Sequence, residues 1–229
     1  RIEKMDHAGM ADAVHREAHN MPAARIVEVT PEMAEAFMGA EEVNESGAVL
    51  IPGNAELDPG TRTILFTDIV GSTDMTQHFG DEMALTMLEV HDRIVRAALA
   101  RTNGREVKHT GDGIMAVFHS AASAIRCAIE VQESLLRHRE ERPDQPLQVR
   151  IGLAAGEPIE HNNDLFGSTV QLAARLCAHA HPEQILVSNA VAELCVGKTL
   201  PLQDAGKVTL KGFDRPVHVH YIGGPPKTG

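Results

Sequence analysis

From Arg62 onward, apolar and polar positions alternate in a way that spells out a series of strands and helices. An apolar strand runs through Thr63 to Thr67. From about Asp81 to Arg101, the residues Met83, Met87, Leu88, His91, Ile94, Val95, Ala98 and Leu99 recur at helical spacing, and Asn103-Gly104 ends the helix. Residues 105–109 and 114–118 read as a hairpin around the Gly-rich Thr110-Gly111-Asp112-Gly113. A second helix follows over about Ala121 to Arg137, with Ala124, Ile125, Ala128, Ile129, Leu135 and Leu136 on its stripe, and Pro143 and Pro146 beyond it. Then come a strand at Gln148 to Ala155, a polar turn at Gly156 to Asn163, and a helix at Ser168 to His179. A strand at Gln184 to Val187, a short helix at Asn189 to Cys195 and closing strands near 207–210 and 216–222 complete the series. The order β-α-β-β-α-β predicts an α+β fold with a ferredoxin-like core and extra C-terminal strands. Its sheet is of antiparallel type, with helices on one face.

Upstream the pattern is less regular. Residues 1–38 read as a small α/β fragment, with a helix at Asp6 to His19, a strand at Ala24 to Val29 and a helix restarting at Pro31. That is too little to bury a core. Residues 39–60 hold Pro52-Gly53-Asn54 and Asp58-Pro59-Gly60 and read as a linker, leaving 61–225 as the main domain. His15 and His19 stand at i, i+4, a spacing able to bind a metal, but without a His-Glu-x-x-His motif they read as solvent-facing.

Composition narrows the function classes. The 229 residues are 43% apolar and 23% charged, with no Trp and a single Tyr, so aliphatic side chains build a globular core. The net charge of −11, with no basic run, repels nucleic acid over most of the surface and counts strongly against an RNA-binding ferredoxin-like module, as does the lack of paired strand aromatics. Anionic substrates must then be held by local cations. Cys127, Cys177 and Cys195 form no Cys-x-x-Cys pair; the first two lie on helical patterns as core thiols, which suggests a reducing, cytoplasmic setting. No apolar run approaches the ~20 residues of a membrane span.

The candidate chemistry centres on two aspartates. Asp68 closes the strand Thr63-Ile64-Leu65-Phe66-Thr67, and Asp112 sits in the Gly111-Asp112-Gly113 turn. Each puts a hard oxygen ligand at the lip of a buried strand, which is what Mg²⁺ ions carrying a nucleotide require. Taken singly these are weak signals, since Asp at a strand end often only caps a turn. Four stretches in order are far more specific. They are Phe66-Thr67-Asp68-Ile69-Val70-Gly71-Ser72-Thr73, Lys108-His109-Thr110-Gly111-Asp112-Gly113, Val149-Arg150-Ile151-Gly152-Leu153 and the run from Asp164 to Arg175. Together they resemble the class III adenylate/guanylate cyclase catalytic domain over residues 61 to about 222.

That resemblance implies a homodimer with composite sites at its interface and two Mg²⁺ (or Mn²⁺) ions. Asp68, Asp112 and the backbone carbonyl of Ile69 would be the metal ligands. Gly71, Ser72 and Thr73, at a helix start, would seat phosphates. The second subunit would contribute Lys108 and Asp164 to the adenine, Arg175 to the α-phosphate, Gln171 to the ribose and Lys211 to the β- and γ-phosphates. Members preferring GTP generally carry Glu and a small residue at the places of Lys108 and Asp164, so this pair implies ATP as substrate. Gln171 departs from the family's more usual Asn, adding one methylene where a misplacement of ~1 Å can cost on the order of 10²-fold in rate. The implied activity is cyclisation of ATP to 3′,5′-cyclic AMP; the alternative is a cyclase-like domain that binds nucleotide without turnover. Arg150 reads only as a sheet-edge charge.

Overall fold

The computed structural model describes residues 60–223. These lie within one compact unit of the chain, Leu57–Gly229. The expected fragment 1–38, with His15 and His19, and the linker up to residue 59 fall outside the described residues.

Fourteen elements follow in order: β1 (Arg62–Ile69), α1 (Ser72–Phe79), α2 (Asp81–Thr102), β2 (Arg105–His109), β3 (Ile114–Phe118), α3 (Ala121–Glu141), β4 (Val149–Gly156), β5 (Ile159–His161), β6 (Asp164–Phe166), α4 (Ser168–His179), β7 (Ile185–Ser188), α5 (Asn189–Leu194), β8 (Leu202–Val208) and β9 (Val217–Ile222). Seven strands form one sheet in the order β2-β3-β1-β4-β7-β9-β8. Its pairings are antiparallel except β4 with β7, so the expected α+β, mainly antiparallel architecture is what the chain adopts.

Alternation along the strands splits the core into two layers. Leu65, Ile69, Ala116, Phe118, Ile151 and Leu153 face one side, where they pack with Val95, Leu99, Ile125, Ala128 and Leu135 of α2 and α3. The neighbouring Ile64, Met115, Val117 and Ala154 face the other side and meet Ala173 and Leu176 of α4. The expectation of helices on a single face therefore holds for α2, α3 and α5, while α4 crosses the opposite face. Gly152 allows that crossing: a Cβ there would lie 2.2 Å from the Cys177 nitrogen and 2.4 Å from the Ala173 oxygen. The pattern of β4 does not betray this second layer, because the positions that α4 covers, Gly152, Ala154 and Gly156, are too small to read as an apolar face.

The expected polar turn at 156–163 is instead the end of β4 plus a small hairpin, β5–β6. Asn162 and Asn163 both adopt left-handed backbone, φ 51° and 63°, which suits a tight hairpin turn. The expected strand near 207–210 is longer and earlier, Leu202–Val208. It is an edge strand, mostly exposed, so hydrophobic alternation says little about it. All three cysteines are buried and unpaired, with burial pushing the Cys127 thiol up to about 11.

Candidate active site

Two strand ends meet at the site. β1 pairs with β3 through Phe66 and Met115, and just beyond that pair the Ile69 N–H donates to the Asp112 carbonyl at 3.0 Å. The Ile114 N–H donates to Thr67 Oγ1 at 2.9 Å. Gly113 lies so close that a Cβ on it would sit 1.9 Å from the Thr67 carbonyl oxygen. Glycine is needed there for the approach itself. It is needed at Gly111 for conformation, φ 101°, with open space around it.

Between the strands the chain turns through Val70 and Gly71 (φ 69°) into α1. Ser72, in its first turn, donates from Oγ to Asp112 Oδ2 at 2.6 Å. Ile69, Ser72, Thr73, Thr110, Gly111 and Asp112 line an open cleft of about 570 Å³, walled on its apolar side by Met75 and Leu88. Of the sequence-predicted metal and phosphate residues, Ile69, Asp112, Ser72 and Thr73 line this cleft, while Asp68 and Gly71 are not among its lining. The donors fit a hard divalent cation: two carboxylates on adjoining strand ends, with a hydroxyl and backbone groups beside them.

Asp68 has a partner that sequence reasoning did not assign. In the β1–β4 register it stands opposite Arg150, whose Nε donates to Asp68 Oδ2 at 2.5 Å. Arg150 also donates from Nη1 to the Ala178 carbonyl at 3.1 Å, at the end of α4. It is not a sheet-edge charge; β4 is an interior strand. Cys177 Sγ donates to the Arg150 carbonyl at 3.3 Å. Burial raises the Cys177 thiol strongly, and the negative charge of Asp68 adds to the rise.

Behind both turns runs a chain of hydrogen bonds. Fully buried His91 on α2 shares a 3.0 Å hydrogen bond with Thr67 Oγ1 and another of 3.0 Å with Asp92. Asp92 meets His109 Nε2 at 3.1 Å, and the Gly111 N–H donates to His109 Nδ1 at 3.1 Å. Burial lowers the pKa of His91, against the pull of Asp92. At Asp92 burial pulls upward, but the bonds to His91 and His109 outweigh it and the carboxylate stays below its usual range. The helical stripe placed His91 inside; no sequence signal marked its bond to β1.

A second cluster lies elsewhere on the chain. Lys108 Nζ meets Asp164 Oδ2 at 2.6 Å and stands 5.8 Å from the centre of the Phe166 ring. Lys108 and the Leu165 N–H hold the Asp164 carboxyl below its usual range. Gln171 and Arg175 sit one turn apart on the exposed side of α4, opposite buried Ala173, Leu176 and Cys177. Lys211 is exposed in the β8–β9 connection, next to buried Leu210. None of Lys108, Asp164, Gln171, Arg175 or Lys211 is among the residues lining the cleft beside Asp112.

Two carboxylates at abutting strand ends, a left-handed turn into a helix and a separate Lys–Asp pair are what a nucleotide-handling domain requires, and comparison with known proteins agrees. The family model of the adenylate and guanylate cyclase catalytic domain matches residues 58–224, and the chain belongs to this family. It is 29% identical over 158 residues to a protein named putative adenylate cyclase 3 from Rhizobium meliloti, covering 68% of this chain and 27% of that protein. It is 37% identical over 152 residues to an uncharacterized protein of Mycobacterium tuberculosis, covering 66% of this chain and 38% of the relative. The solved adenylate/guanylate cyclase/hydrolase from Silicibacter pomeroyi superposes with a TM-score of 0.65 at 31% identity, over 72% of this chain and 97% of that one. The chain thus spans 27–38% of the length of these curated relatives.

Proposed function

We propose that the domain cyclises ATP to 3′,5′-cyclic AMP and pyrophosphate, as a homodimer with two composite sites. One observation carries the reading of a purine base: Lys108 and Asp164 converge to 2.6 Å beside Phe166, placing a donor and an acceptor side by side. Adenine offers a matching pair on one edge, the acceptor N1 beside the 6-amino donor. Guanine offers a donor and an acceptor in the reverse order, and the choice of adenine rests on the Lys108 and Asp164 residue types, which resemble those of ATP-using family members.

In this reading Asp68, Asp112 and the Ile69 carbonyl hold two divalent ions, Mg²⁺ or Mn²⁺. When bound, such ions lower the pKa of the ribose 3′-hydroxyl and neutralise charge on the triphosphate. The turn from Val70 to Thr73 presents backbone N–H groups and hydroxyls to the phosphates. Arg150 keeps Asp68 charge-balanced. From the second copy, Lys108 and Asp164 read the base and Gln171 orients the ribose. Arg175 neutralises charge growing on the α-phosphate, and Lys211 faces the β- and γ-phosphates. The 3′-oxygen attacks the α-phosphorus in line, the bond to the β-phosphate oxygen breaks, and pyrophosphate leaves. The proton departs to solvent; no side chain is assigned as base. The composite arrangement is supported by the cleft beside Asp112, whose lining lacks the candidates given to the second copy, Lys108, Asp164, Gln171, Arg175 and Lys211. Three buried, unpaired thiols support a reducing, cytoplasmic setting.

A second reading, nucleotide binding without turnover, draws on Gln171. Incubating the full chain with ATP or GTP and Mn²⁺, and resolving the cyclic products, separates them. Cyclic AMP as the main product is expected; cyclic GMP in excess would overturn the base assignment, and bound nucleotide with no product would favour the second reading. Lys108→Glu combined with Asp164→Cys shifts the preference towards GTP if these residues read the base.

A further inference from the structure

We propose that Asp204, His218 and His220 form a separate cation site on the β8–β9 hairpin, suited to a Zn²⁺-like transition-metal dication. His218 and His220 are alternate residues of β9, so they project from the same face of the strand. Asp204 stands opposite His220 in the β8–β9 register. The ladder then shifts between Asp204 and Gly206, where the backbone is left-handed (φ 73°). This bulge lets the carboxylate reach past its direct partner, and Asp204 Oδ1 meets His218 Nε2 at 2.8 Å.

One ligand atom from each of the three residues falls within 4.8 Å of the others. The two imidazole rings lie nearly parallel, with centroids 5.1 Å apart. His220 Nδ1 is shut off from solvent and has no hydrogen-bond partner, a state that buried polar atoms rarely keep. The 2.8 Å contact between His218 Nε2 and Asp204 Oδ1 already brings two ligand atoms together. The Gly206 N–H donates to Asp204 Oδ1 at 2.6 Å and fixes the carboxylate at the bulge.

Donor chemistry selects the ion. Two imidazoles and one carboxylate leave a fourth position for water, a set that suits Zn²⁺. Mg²⁺ prefers oxygen ligands throughout. The cluster is therefore chemically unlike the Asp68/Asp112 pair. It is also distant from it: β9 is three strands from β1 in the sheet, roughly 14 Å at ~4.8 Å per strand. The Asp204 side chain is 63% exposed, which gives an ion a way in. A bound ion ties the two arms of the hairpin whose connection carries Lys211, so it would brace that loop without entering the proposed nucleotide site.

The test uses the full chain carrying Asp68→Asn and Asp112→Asn, which removes the hard-oxygen pair. After chelation and dialysis, Zn²⁺ is titrated by calorimetry, and Co²⁺ by visible absorption, in excess Mg²⁺. Binding that resists Mg²⁺ is expected, and it should weaken at least about tenfold in Asp204→Asn and in His218→Gln, since even losing an outer-shell partner costs 10–100-fold. Both substitutions are at exposed or half-exposed positions, and thermal melting confirms that each variant is folded. No Zn²⁺ binding, displacement by Mg²⁺, or affinity unchanged in both variants would overturn the assignment. Because the parent already lacks the Asp68/Asp112 carboxylates, the outcome is independent of the cyclase reading.

Discussion

Replacing Gly113 by Ala tests whether the two strand ends must touch for the site to form. The new methyl would sit 1.9 Å from the Thr67 carbonyl oxygen, where real Cβ contacts essentially never fall below 3.0 Å. The obstacle is backbone, so it cannot rotate aside. Either β1 or the Asp112 turn must retreat by at least about 1 Å, and a misplacement of that size can cost on the order of 10²-fold in rate. The retreat also stretches the bond from the Ile69 N–H to Asp112 and the bond from the Ile114 N–H to Thr67 Oγ1. Overpacking of this kind costs typically about 1–3 kcal/mol. For a domain of this size that is a fall in Tm of roughly 2–12 °C, at about 2–4 °C per kcal/mol. Gly111→Ala is the matched control: its Cβ meets nothing within 4 Å, and only the φ of 101° is strained. Both variants are followed by thermal melting and by cyclic-nucleotide formation with Mn²⁺. Gly113→Ala should lose about 10²-fold in rate, well beyond Gly111→Ala. A Gly113→Ala protein that cyclises and melts like the parent would refute the claim that this approach aligns the carboxylates.

Asp68→Ala and Arg175→Ala chains should each be inactive, and mixing them should restore part of the rate if sites are shared between copies; mixtures as inactive as their components point to a site within one chain. Gly152→Ala should destabilise by about 1–3 kcal/mol or more, because its methyl meets the α4 backbone; a melting temperature equal to the parent's would mean that α4 does not press on β4. His91 is held mainly neutral by burial, its pKa below the ordinary 6.5, so the unfolded chain takes up a proton that the folded chain refuses. Its effect is absent well above pH 6.5 and grows as pH falls through that value towards the folded pKa, destabilising the fold. His91→Gln should melt with a shallower acid dependence between pH 7.5 and 5.5; an identical profile in both proteins would rule this out.

The fold was legible wherever burial is one-sided and contacts are local. The stripe of α2 and the hairpin around Gly111-Asp112-Gly113 read directly, because helical and strand periodicities are set by nearest neighbours. Edge strand β8 was misplaced because solvent on most of its positions erases alternation. The candidate site divides the same way. Asp68, Asp112 and the Ser72 turn could be named as candidates because the stretches that contain them resemble the cyclase family to which the chain belongs. Arg150 could not: its meeting with Asp68, 82 residues away, exists only once the β1–β4 register is fixed. A one-residue slip would turn Arg150 to the opposite face, so the charge balance at Asp68 belongs to the topology. The same holds for Thr67, His91, Asp92 and His109, which come from β1, α2 and β2 and join in one hydrogen-bonded chain. Strand order and helix docking must be in place before these side chains can support the two turns. The carboxylates are therefore readable as a list of ligands, while what holds them at their spacing is a property of the assembled sheet.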